Sequence, residues 1–125
     1  MNTFLKIIKF LFKGKTVSSK TLKLTNNAVS NGYAAVKNSD LNAKRNSVIE
    51  LDTILGQSLK DIYGQGTVKD NLIKAKNKFD SETYDKLWEA HKIRNRIIHE
   101  PHLTISDKAL NFAIYSLIKG VKKLS

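Results

Sequence analysis

Between Tyr84 and His99 the sequence repeats with the period of an α-helix, and its polar residues do not keep to the polar side. Wound at about 100° per residue, Tyr84, Leu87, Trp88 and Ile98 share one face, as core residues should. His91, Arg94, Asn95 and His99 fall in the same arc, whereas Lys86, Glu89, Lys92 and Arg96 occupy the opposite side. Inward polar groups are costly unless they are paired. These four therefore satisfy one another in a structural network, or they form an active site. The helix must stop by Glu100, because the residue before Pro101 is pushed out of helical geometry.

The rest of the chain also reads as helix. There is one proline, no cysteine and no alternating strand pattern, which leaves an all-α protein without disulfides or thiolate metal sites. Leu41, Val48, Leu51, Leu55, Leu59 and Ile62 predict an amphipathic helix ending at Gly64-Gln65-Gly66. Asp52 lies inside that stripe, and Glu50 points about 160° away from it. Thr67 with Asp70 resembles an N-cap pair opening a short basic helix to about Lys78, and Asp80 or Ser81 caps the helix that carries His91 and Arg94. Ser106 caps a last helix, with Leu110, Ala113, Ile114, Leu117, Val121 and Leu124 inward and Phe112 and Tyr115 off the stripe, where they are candidates for a dimer interface. Four helices with short loops predict an up-down bundle over 39–125.

Residues 1–38 read as a basic N-terminal extension. They hold seven lysines and no acid, against an overall net charge of +11, and a strongly basic chain favours a polyanion: nucleic acid or an anionic membrane surface. A basic protein with no such partner is the alternative. Residues 3–13 form an amphipathic helix candidate, with Lys6, Lys9 and Lys13 on one side and Phe4, Ile7, Ile8, Leu11 and Phe12 on the other. Its apolar runs are too short to span a membrane. It either touches an anionic membrane surface weakly or packs on its own domain or on a dimer mate. Residues 14–40, with Gly14, Gly32 and Asn26-Asn27, read as a linker with a short helix supported by Leu22, Leu24, Val29, Tyr33 and Val36.

The spacing Arg94-Asn95-x-x-x-His99, led by Trp88-Glu89-Ala90-His91-Lys92 and preceded by the acidic Val48-Ile49-Glu50-Leu51-Asp52 helix, resembles the signature of HEPN domains (higher eukaryotes and prokaryotes nucleotide-binding) over roughly residues 40–124. The resemblance implies a small helical domain that cleaves RNA without metal or other cofactor. It further implies a homodimer whose paired motifs supply acid and base, and a cytoplasmic setting such as toxin–antitoxin or phage defence, with an antitoxin or other partner protein. Arg94, Asn95 and His99 would be catalytic, with Asp52 or Glu50 as their acidic partner. His91, Lys92 and Arg96 are candidates for contacting substrate. The chemistry fits the residue types. Histidine changes charge near neutrality and suits proton transfer. Arginine offers a planar fork to a phosphate, and asparagine orients either by hydrogen bonds. No His-Asp-Glu combination has convincing zinc spacing. The competing readings are a helix-surface salt bridge for Arg94 and a helix C-terminal cap for His99; Trp88 and Tyr84 either stack bases or, as is commoner for aromatics at that spacing, pack in the core. At the level of function, the alternative is a non-catalytic HEPN-like module that binds RNA, a nucleotide or a protein.

Overall fold

A computed structural model describes residues 15–125, all of whose regular elements are helical. The amphipathic candidate at residues 3–13 lies outside the described residues. In chain order the elements are α1 (Ser19–Val36), α2 (Leu41–Tyr63), α3 (Val68–Lys74), a 3-10 turn (Lys76–Lys78), α4 (Ser81–His99) and α5 (Asp107–Leu124).

Each α-helix starts on a residue whose side chain accepts a backbone N–H of its first turn. Ser18, Asp40, Thr67, Asp80 and Ser106 take these positions, so a donor that the helix itself leaves unpaired is satisfied at every start. α2 ends at Gly64, whose φ of +90° a side chain rarely tolerates.

α2 and α5 form the most extensive helix pair, α1 lies against both, and α4 packs chiefly on α5. Lys44 near the start of α2 forms an ion pair with Asp107 at the start of α5, so these two helices begin at the same end of the bundle. The short α1–α2 and α4–α5 connections make each of those pairs antiparallel. The core lies between the helices: Leu51, Leu55, Leu59, Leu87, Leu110, Ile114 and Leu117 are fully buried. All six stripe residues expected on α5 are buried. On α2 the expected stripe is buried except Leu41, the first helical residue, which is exposed.

The fourth long helix is not the one the sequence suggests. The short basic helix is only seven residues long before it tightens into the 3-10 turn. The segment expected to be a partly helical linker is instead a continuous helix, α1, with Thr21, Thr25, Ala28, Gly32 and Ala35 buried. Of the larger residues that suggested a short helix, Leu24 and Tyr33 are exposed, while Leu22, Val29 and Val36 pack partly buried against the core. Small side chains are buried here because α1 approaches its neighbours closely. A Cβ at Gly32 would lie 3.0 Å from Ile118, 3.2 Å from Leu51 and 3.3 Å from Ile114.

Candidate functional site

The buried line of α4 is Thr83, Leu87, Ala90, Ile93 and Ile97. Ile98, expected in the core, is 43% exposed. Adjacent Ile97 and Ile98 lie about 100° apart on the helix, and the true packing selects Ile97. The arc of Tyr84, Trp88, His91, Arg94 and Asn95 is therefore half-buried and runs along the flank of α4 rather than under it. Ile98 and His99 continue it into solvent.

Asp52 is the group that this flank meets. It is 1% exposed and is reached from α4 by two side chains. His91 Nδ1 lies 2.9 Å from Asp52 Oδ1 and 3.2 Å from Oδ2. In this contact the Nδ1–H of His91 donates to the Asp52 carboxylate, and Nε2 is the ring nitrogen it does not use. Arg94 Nε stands 3.5 Å from Asp52 Oδ2, close enough for an ion pair, yet among the described residues the buried Nε has no hydrogen-bond partner. Arg94 Nη1 donates to Asn95 Oδ1 at 3.0 Å. The guanidinium is thus held at two points and remains 30% exposed. A half-open cation, fixed on its inner side by a carboxylate, can receive an anion on its outer side.

The other candidates are placed elsewhere. Glu50 faces α1, where its Oε1 accepts from Asn31 Nδ2 at 3.2 Å. It is Asp52, not Glu50, that lies beside Arg94. Lys92 is exposed on the outer face of α4 and pairs with Glu89 at 3.2 Å, and Arg96 is exposed as well. Neither belongs to the Asp52 cluster. His99 is the last residue of α4 and is exposed, not turned inward. Trp88 and Tyr84 pack edge to face against each other, and the Tyr84 hydroxyl donates to the Leu72 carbonyl at 3.1 Å, which is how half-buried core aromatics behave.

Two contributors were not singled out in the sequence. Arg45 Nη2 donates to the Leu103 carbonyl at 3.0 Å and so ties the loop after His99 to α2. Its signal is its position seven residues before Asp52, two helical turns along the same side. Lys44 is buried with Asp107 as its partner, and nothing local in the sequence marks it. Among the described residues no group of three or more His, Asp or Glu side chains is placed to hold a metal ion, and no helix is long and apolar enough to cross a membrane. Comparison with family models, with curated proteins and with solved structures finds no match.

Proposed function

We propose that the chain is a metal-independent endoribonuclease of HEPN type, acting as a homodimer through Arg94, Asn95 and His99. The observation that carries this reading is the fixed, half-open Arg94 guanidinium, set between buried Asp52 and Asn95 within the Arg94-to-His99 spacing. In the proposed reaction the RNA 2′-oxygen attacks the adjacent phosphorus as a histidine takes its proton. The bond from phosphorus to the 5′-oxygen breaks, and a second histidine protonates that leaving oxygen. The products are a 2′,3′-cyclic phosphate and a 5′-hydroxyl. Arg94 binds the phosphoryl oxygens as their charge grows, Asn95 orients Arg94, and His99 transfers a proton. Asp52 holds His91 and Arg94 in place. An antitoxin or other partner protein would control such an activity in the cell.

The test is purified protein on end-labelled RNA in EDTA. Cleavage that leaves cyclic phosphate is expected, and Arg94→Ala and His99→Ala should each abolish it without unfolding the protein. Wild-type cleavage in either variant overturns the reading. A second reading is favoured by the burial of Asp52 and of Arg94 Nε: a non-catalytic HEPN-like module in which Asp52, His91 and Arg94 are a structural network. Under that reading Arg94→Ala costs stability and the wild type cleaves nothing.

A further inference from the structure

On the outer side of α5, between α1 and the start of α4, lies an open groove of about 550 Å³. This volume is in the range of sites that hold small organic molecules. Its walls combine two kinds of side chain. Tyr33 and Tyr115 stand with ring centroids 6.5 Å apart, tilted by 55°, and both are about half exposed. Lys119, Lys122 and Lys123 rise beside them from the last turns of α5, and Phe79 also lines the groove. Asp80 is the one acid of the lining. It is committed to capping α4, and its carboxyl is held below the usual range chiefly by the Thr83 backbone N–H, with Lys119 and Lys123 adding to the effect. The groove therefore presents two aromatic faces and a surplus of positive charge.

Those properties match one kind of ligand. Flat π-faces beside a basic track bind the bases and the phosphates of a single strand, whereas duplex nucleic acid keeps its base faces stacked and hidden. We propose that this groove holds single-stranded RNA, with a base on Tyr115 and phosphates on Lys119 and Lys122. The choice of RNA over other single strands rests on the nuclease reading; the groove's chemistry does not. Thr83 in the groove and Arg94 are eleven residues apart on α4, about 16 Å along the helix axis. A strand held here is near the candidate site without occupying it.

The test uses the full chain and a labelled oligonucleotide of about 10 residues, 2′-O-methylated throughout so that it cannot be cleaved. Because Tyr115, Lys119 and Lys122 are exposed, their variants should fold. Tyr115→Ala should weaken binding at least about fivefold, the low end of one lost base stack, and Tyr115→Phe should restore it. The double variant Lys119→Ala, Lys122→Ala should reduce the slope of log affinity against log salt by about 1.4, two phosphate contacts on a single strand. Lys108→Ala, at the other end of α5, should leave the slope unchanged. Unaltered binding by Tyr115→Ala, duplex RNA bound as tightly as the single strand, or affinity for phosphatidylserine vesicles without affinity for RNA would each overturn the proposal. Tight binding with no cleavage of unmodified RNA counts against the nuclease reading alone and leaves the groove standing.

Discussion

At Asp52 a buried carboxylate faces a histidine and an arginine from one neighbouring helix, and the cost of burying it is offset only while those partners stay. Asp52→Asn keeps the shape and removes the charge. It should lower stability by about 1.5–3 kcal/mol, the range for hydrogen bonds to charged groups, and lower cleavage with it. Glu50→Gln should change stability by no more than about 0.5 kcal/mol, as for surface substitutions generally. Urea unfolding of both variants, with RNA cleavage in parallel, measures this; equal losses in the two would remove Asp52 from its role. The facing of Asp52 was legible because two helix positions separated by two residues point nearly opposite ways. The facing of Ile98 and His99 was not, since two adjacent isoleucines give a helical wheel two equally good cores. Lys44 was illegible for a different reason: its partner Asp107 is 63 residues away, and only the bundle brings them together.

Among the elements, α2, α4 and α5 announce themselves through large apolar residues at helical spacing, while α1 does not. Its buried residues Thr21, Thr25, Ala28, Gly32 and Ala35 are spaced by four, three, four and three, a clear helical stripe written in small side chains. Hydrophobicity alone overlooks such a stripe, and Asn26, Asn27 and Gly32 argue against helix by propensity. Close packing overrides that preference. Gly32→Val should cost about 1–3 kcal/mol by overpacking against Ile114, Ile118 and Leu51. Asn27→Ala, on the exposed side, should gain about 0.5 kcal/mol. Denaturant midpoints check both signs, and a stabilised Gly32→Val would mean that α1 does not sit so close. The start of α1 is also fastened to α2, because the Ser18 N–H donates to Asp61 Oδ2 at 3.0 Å. Burial pushes the Asp61 carboxyl up, but hydrogen bonds from Thr21, Ser18 and Gln57 outweigh it and leave the pKa below 3.8. A folded-state pKa below the unfolded value stabilises at pH above 3.8, and that contribution disappears as pH falls through the lowered folded value. Asp61→Asn should therefore be less stable than wild type at neutral pH and converge with it in acid. A gap that stays constant between the two pH values would show that Asp61 does not titrate with folding.

For the whole molecule the open question is whether one chain suffices. An all-helical bundle follows from capped, amphipathic segments joined by short loops, and that much the chain states plainly. The dimer rests on the proposed chemistry: a 2′-oxygen must lose a proton while a 5′-oxygen gains one, and the Arg94-to-His99 motif has one histidine. Two-fold pairing of motifs would supply the second, and it would bring the exposed Ile98 of each protomer, next to His99, onto a shared surface. Single exposed isoleucines are common on monomers, so the variant must decide. Ile98→Glu should convert a homodimer to a monomer by light scattering, keep the unfolding profile of an intact bundle, and lose cleavage. His91 provides the contrary outcome. It sits beside Arg94 with Nδ1 anchored on Asp52, and a single chain could use it as the second proton carrier. If monomeric Ile98→Glu cleaves at the wild-type rate and the further change His91→Gln stops it, both histidines act within one chain and the dimer has no part in the chemistry.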